Sequence, residues 1–446
     1  MRARAYYKIR RELAQGFSPL RSFKEWRNER VNGSEGNISP WAWVPTLYLA
    51  EGIPYFLVTS VSVTLFTQLG MPNAQMALFT SLISFPWVVK PLWSPFVDVL
   101  RTKRWWVLVM QVVMALTILL LALTAPRGLF TLALILFTIT AFCSATHDIA
   151  ADGYYMLALS EKEQSAYVGL RSTFYRIANI CCQSLLLMLV GWLQNRTDVA
   201  SAWLYALLLC SGIIAVIAIW HMWAMPDVEL KVERLKFKDI WREVGQVFVE
   251  FFRKPEIVLA LCFMLLYRLP EALLLKLCNP FFLASTEEGG LGITVGTIGQ
   301  ITGIGVVLML LGGIGGGLWA SKTGLKKAIL PMALCLTLPC IVYVYFAQYQ
   351  PTAFWILCLC VGLEQMGYGL GYTACMLYMI HVADGAHKTA HFSICTAFMF
   401  LGLMLPGMVA GYIQEAVGYL GFFWIVMATC IPSIAVTWLV YKKLKD

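Results

Sequence analysis

The sequence predicts an all-α membrane protein of twelve transmembrane helices, folded as two pseudo-symmetric six-helix bundles. Three observations carry that reading. Of 446 residues, 59% are hydrophobic and 13% charged, against about 25% charged in a soluble domain. Apolar runs of membrane-spanning length recur along nearly the whole chain. These runs fall into two sets of six that echo each other at a fixed offset.

A spanning helix needs about 20 mostly apolar residues. Runs that qualify cover residues 41–68, 76–98, 105–124, 128–158, 167–193 and 200–224, and then 256–285, 295–320, 327–348, 352–382, 389–414 and 419–441. These are spans 1 to 12. They divide the chain into a basic extension (1–40), a first bundle (41–224), a linker (225–255), a second bundle (256–441) and a short tail (442–446).

Charge sets the orientation. The segments on the side of the chain ends hold 27 of the 34 Lys and Arg residues, and the opposite loops hold only Arg127 and Arg196. By the positive-inside rule both termini and the linker are cytoplasmic, which also demands an even number of spans. The net charge of +9 is dispersed between spans, so it expresses topology and predicts no nucleic-acid partner. The first 39 residues lack the apolar core of a cleavable signal and read as a cytoplasmic extension. The 13 cysteines show no paired spacing and read as small buried hydrophobes. Neither a metal nor a cofactor is expected.

The halves echo each other after their second and fourth spans. DVLRTKRWW follows span 2 from Asp98, and SKTGLKKAI follows span 8 from Ser321. Lys103 and Arg104 align with Lys326 and Lys327 at an offset of 223, and Ala166 aligns with Ala390 at 224. Two unrelated segments at nearly one offset indicate a 6+6 duplication. The loop after span 2, with Asp98, Arg101, Lys103 and Arg104, resembles the loop signature of the major facilitator superfamily. That resemblance implies a cytoplasmic latch. Its second copy keeps Lys326 and Lys327 but has Ser321 in place of the acid.

Ionisable residues inside spans are expensive and mark function or helix-locking pairs. Glu51 lies in span 1 beside Gly52 and Pro54, which weaken the helix. It reads as a coupling group or as half of a structural pair. Lys90 lies in span 2 among Pro86, Pro91 and Pro95, placed to meet an anion or to neutralise a carboxylate. In span 4, Asp148 and Asp152 are four apart and share a face. Two carboxylates facing one cavity favour holding a proton between them, and His147 beside them can titrate as well. In span 5, Arg171 reads as a boundary anchor, and the deeper Arg176 as the partner of Asp148 or Asp152 or of an anion. Span 7 places Arg268 and Glu271 three apart, close enough to pair, with Pro270 between them and Lys276 further along. Span 10 carries Glu364 and Gln365 ahead of a glycine-rich stretch. Tyr55, Trp87, Tyr154, Tyr155, Tyr368 and Tyr372 lie inside spans, where rings serve packing or stack on a sugar.

Four runs give a closer resemblance: LAEGIPYFL (49–57), FPWVVKPLWSPFVD (85–98), SATHDIAADGY (144–154) and LLYRLPEALLLKLCNPFFL (265–283). They resemble the AmpG-type permeases and the related acetyl-CoA transporter branch of the superfamily. The resemblance implies a proton-driven importer of muropeptides or of GlcNAc-anhydroMurNAc, in a bacterial inner membrane. The expected partners are a small-molecule solute, protons and the lipid bilayer, and the expected unit is a monomer. Proton coupling or gating is expected at Glu51, Asp148, Asp152, Glu271 and Glu364. Solute contacts are expected from Tyr55, Lys90, His147, Tyr155, Arg176, Arg268, Lys276 and Gln365. The alternatives are a carrier of an oligosaccharide, siderophore or acyl-CoA-like anion and, more distantly, a membrane-embedded transferase. An enzyme is not expected, because His147-Asp148 is the sole candidate catalytic pair.

Overall fold

The structure, a computed structural model, describes residues 38–228, 237–385 and 387–444. The extension (1–40) lies almost wholly outside the described residues, as do the last two residues of the tail.

Eleven helices among the described residues are long and apolar enough to cross a membrane. They are Pro40–Gln68, Asn73–Val97, Lys103–Arg127, Phe130–Ala158, Lys162–Gln194, Val199–Ala224, Ile257–Leu283, Val295–Thr323, Leu325–Tyr349, Phe354–Ala383 and Lys388–Lys443. The last holds 56 residues, which would make a rod of about 84 Å at 1.5 Å per residue, far beyond a hydrocarbon core of about 30 Å. Its backbone turns over at Gly418, where φ is 71° and ψ 175°, a conformation only glycine adopts readily. Lys443 pairs with Glu256 at 3.1 Å, and His391 bonds the Val247 carbonyl at 3.3 Å. Both ends of this helix therefore lie beside the linker. Residues 388–417 and 419–443 are spans 11 and 12, and the spans among the described residues number twelve.

Large apolar side chains such as Leu116, Val216, Leu311, Ile314 and Ile431 point outward and are exposed, as lipid-facing residues must be. Span 5 starts earlier than its apolar run, because Ser160 and Glu163 form a reciprocal capping box that satisfies the free amides of its first turn. Asp198 caps span 6 by accepting from the hydroxyl (2.7 Å) and backbone N–H (3.0 Å) of Ser201. The Ser201 hydroxyl and amide hold the Asp198 carboxyl below the usual carboxylate range. A lowered folded-state value means that the capping contribution is present above the ordinary carboxylate range and is lost as pH falls through the folded value. Asp198→Ala should therefore lower the melting temperature at neutral pH, with the difference from wild type closing in acid.

The breaks fall at prolines. Span 2 splits into Asn73–Leu82 and Phe85–Leu100, ahead of Pro86, whereas Pro91 and Pro95 stay inside the second piece. Span 7 splits into Ile257–Leu266 and Leu269–Leu283, ahead of Pro270. Span 1 carries a wide turn at Leu57–Val61, after Pro54. Gly52 does not loosen span 1. A Cβ there would lie 2.5 Å from that of Ala178, so the glycine lets spans 1 and 5 touch. The polar linker contains a helix, Phe237–Phe252, whose Phe251 is fully buried against His391.

Spans 1–6 and 7–12 form two bundles that meet at the ends remote from the linker. Asn73 donates to Gln414 (2.8 Å) and to Tyr419 (3.1 Å), the Ala74 N–H to Glu415 (2.8 Å), and Asn279 to Thr64 (2.8 Å). Gly191 of span 5 crosses Gly296 of span 8, and a Cβ on Gly299 would lie 2.7 Å from the Ser184 carbonyl oxygen. The two bundles are thus closed against each other at that far end.

Candidate functional site

Midway along the seam, rings of both bundles meet. Tyr55 stacks edge-on to Trp87 (5.1 Å) and to Phe400 of span 11 (6.5 Å), and Tyr175 lies 6.1 Å from Tyr55. On the linker side of these rings sit the charged groups. The far end is closed, yet Lys90 and Asp148 are each 23% exposed and Arg171 and Asp152 33% and 34%. Solvent therefore reaches them from the linker end.

The span 4 carboxylates share one face, as their spacing predicts, and Glu51 of span 1 joins them. One oxygen from each of Glu51, Asp148 and Asp152 lies within 4.8 Å of the others. Sequence spacing alone suggested no cation-ligand set, because the third carboxylate comes from a helix about a hundred residues earlier. Two cations offset the three acids. Lys90 pairs with Asp148, and Arg171 pairs with Asp152 at 2.7 Å. The Tyr48 hydroxyl also donates to Asp152 (3.2 Å), and its ring lies under the Arg171 guanidinium at 4.6 Å. Glu51 is 8% exposed, and its Oε2 is buried with no hydrogen-bond partner. The cluster thus carries one carboxylate more than its cations balance.

Arg171 fills the place expected of Arg176. Span 4 runs toward the linker end and span 5 away from it. At 1.5 Å per residue Asp152 lies about 9 Å from that end, Arg171 about 14 Å and Arg176 about 21 Å. Depth therefore matches Arg171 to the acids. Arg176 is half-buried and forms no ion pair among the described residues.

His147, expected to meet solute, does not face the acids, whereas Tyr155 lies beside them, its ring 5.7 Å from the Arg171 guanidinium. His147 is one residue from Asp148, so it turns about 100° away into the seam with spans 3 and 6, where it is fully buried. Gln111 bonds His147 (3.0 Å) and His221 (2.9 Å), and His221 bonds Thr46 (2.8 Å). This polar thread ties spans 1, 3, 4 and 6 and lacked a spacing signal. Gln111→Leu leaves two buried imidazoles short of a partner, at about 1–3 kcal/mol each. A clear fall in the melting temperature is expected. Tyr155 is buried too, and its hydroxyl donates to the Gln164 carbonyl at 2.6 Å, which fixes the turn between spans 4 and 5.

In the second bundle, Arg268 grips Glu271 with two bonds of 2.7 and 2.5 Å. It also donates to Tyr368 at 3.1 Å and lies 5.1 Å from the Tyr372 ring. The span 7 break puts Glu271 in the first turn of a helix, where the dipole favours an acid. Glu364 is buried away from these groups and takes bonds from Gln365 (2.9 Å) and Tyr343 (3.5 Å). Lys276 is buried between the bundles, 3.2 Å from the Thr80 hydroxyl.

The expected latch residues do not act alike. Arg104 binds the final carbonyls of span 6, Met222 at 2.6 Å and Met225 at 2.8 Å, within its own bundle. Arg101 lies over the Trp105 ring at 5.6 Å. Lys103 is buried, its stem against Gly153. Lys326 is half-buried and Lys327 exposed. The Asp98 side chain lies outside the described residues.

The sequence matches the Major Facilitator Superfamily over residues 46–276 and 272–445. The chain belongs to that superfamily. Within it the chain is similar to AmpG-type permeases. It is 24% identical over 407 residues to the anhydromuropeptide permease of Escherichia coli K12, covering 87% of this chain and 77% of that one. It is 22% identical over 409 residues to a Rickettsia felis protein named transporter AmpG 4, covering 89% and 95%. Among solved structures, a D-xylose–proton symporter superposes with a TM-score of 0.70 at 11% identity, covering 89% of this chain and 96% of that one. The chain is an integral, multi-pass membrane transporter.

Proposed function

We propose that this protein is a proton-coupled importer of anionic cell-wall glycans, anhydro-muropeptides or GlcNAc-anhydroMurNAc, working by alternating access in a bacterial inner membrane. The linker side is then the cytoplasm, and the conformation seen here faces inward. The observation that carries the reading is the uncompensated carboxylate. Glu51, Asp148 and Asp152 stand within 4.8 Å, against Lys90 and Arg171 alone. Two like charges at that distance repel by about 3–4 kcal/mol at an effective dielectric of 20. One proton on the cluster neutralises the surplus carboxylate and leaves two acids facing two cations, and its arrival and release can follow the opening of each face.

The same census leaves Arg176 as a cation for the solute. A carboxylate on the glycan suits it, and the rings of Tyr55, Trp87, Tyr175 and Phe400 offer faces for the sugar. The permease named for the E. coli relative supports this solute class. Uptake into proteoliposomes should collapse with a protonophore. It should favour anhydro-muropeptides and GlcNAc-anhydroMurNAc over simple disaccharides, siderophores and acyl-CoA. Uptake indifferent to the proton gradient would sink the coupling. Arg176→Gln should raise KM for the free acid about 10- to 100-fold, the value of one charge-assisted contact, and leave a neutral amide analogue unaffected.

A second reading has one specific support: three clustered carboxylate oxygens also suit Na⁺. Uptake driven by a sodium gradient at fixed pH would favour it.

A further inference from the structure

The seam between the bundles holds a cation that neither the triad nor the cleft uses. Lys276 of span 7 is 7% exposed and reaches across to span 2. Its ammonium carries three donors and no acceptor. One N–H goes to the Thr80 hydroxyl at 3.2 Å, which can only accept, because its own proton goes to the Met76 carbonyl at 2.8 Å. Lys276 has no other polar contact among the described residues and no carboxylate partner. Beside it lies another unmet donor: the Ser81 hydroxyl is buried and has no hydrogen-bond partner. Gly407 of span 11 shows that these groups converge, since a Cβ there would lie 2.6 Å from Ser81 Oγ and 3.3 Å from Lys276 Cε.

The locus is therefore rich in donors and poor in acceptors, with walls from three helices of both bundles. A buried ammonium is stable only with a counter-charge or hydration. We propose that Lys276 and Ser81, with Thr80 holding the lysine in place as an acceptor, form a binding site for a small monovalent anion, a carboxylate or a halide, which loads when spans 2 and 11 part at the far end. The site stands whatever the transported solute is. A carboxylate borne by that solute and a free halide are its two sources.

The test is thermal melting of the purified full-length chain, with sodium isethionate replaced by sodium chloride or sodium acetate at constant ionic strength. A third arm adds GlcNAc-anhydroMurNAc, as free acid or as amide. The wild type should gain about 2–4 °C at saturation, Lys276→Arg should keep the gain, Ser81→Ala should reduce it, and Lys276→Met should abolish it. Arg176→Gln should still respond to acetate or chloride. A response to chloride assigns the free halide, and a response to the glycan acid but not its amide that persists in Arg176→Gln and is lost in Lys276→Met assigns the solute carboxylate. Equal shifts in wild type and Lys276→Met, or no shift of the wild type with chloride, acetate or the glycan acid, would overturn the site. Proton-driven glycan uptake without any anion shift removes this site and leaves the transport reading standing. A Lys276-dependent shift in a chain that does not transport the glycan does the reverse.

Discussion

Glu51→Gln should abolish proton-driven accumulation while leaving solute exchange intact. The substitution removes the one carboxylate of the triad without a cationic partner. It leaves Lys90 with Asp148 and Arg171 with Asp152. The protein should therefore fold and bind as before, since no buried cation loses its counter-charge. A gradient of one pH unit is worth about 1.4 kcal/mol, or tenfold accumulation at one proton per solute. The wild type should reach that ratio, and the variant should stop at equal concentrations inside and out. Counterflow, which needs no net proton movement, should persist. Asp148→Asn is a cruder probe, because it also strips Lys90 of its partner. If Glu51→Gln still concentrates solute with the gradient, the surplus charge is not the coupling group.

Gly299→Val should jam the cycle at the opposite point. A Cβ on residue 299 would lie 2.7 Å from the Ser184 carbonyl oxygen and 2.8 Å from the Met188 backbone nitrogen. Both are main-chain atoms of span 5, which cannot step aside as a side chain can. Overpacking of this kind costs about 1–3 kcal/mol or more, and it falls only on the conformation with the far end closed. The equilibrium should shift about 5- to 150-fold toward the form open at that end. Uptake should fall accordingly, with folding preserved if the bundles part at this crossing when the far end opens. Spin labels on the far ends of spans 5 and 8 should report a larger separation than in wild type. Unchanged distances would contradict this account of the seam.

How much of this was legible in the sequence depended on whether a feature was local. Apolar runs and the lysine and arginine bias gave the twelve spans, because each span meets the bilayer largely on its own terms. The i,i+4 spacing put Asp148 and Asp152 on one face, and the i,i+3 spacing let Arg268 meet Glu271. Partners from different helices were harder. The pairing of Arg171 with Asp152, and not of Arg176, follows from matching depths in two antiparallel helices, a count that the charge pattern alone does not prompt. Glu51 was visible as a buried acid, but its approach to the span 4 acids is a contact between helices that spacing within one helix does not show. His147 was misplaced because one helical step of about 100° separates a cleft from a packed seam. The thread through Gln111 and His221, and the convergence of Lys276, Ser81 and Gly407, arise only from tertiary crossings. Gly299 belongs to the same class, since its neighbour is the main chain of another bundle.

The central claim is that solute and proton cross together through the Glu51 cluster. Its most direct measurement is the external pH of lightly buffered proteoliposomes when GlcNAc-anhydroMurNAc is added without an imposed gradient. The account predicts alkalinisation outside as solute enters with protons, abolished by a protonophore and absent in Glu51→Gln. Solute uptake at wild-type rate with no pH change would contradict it.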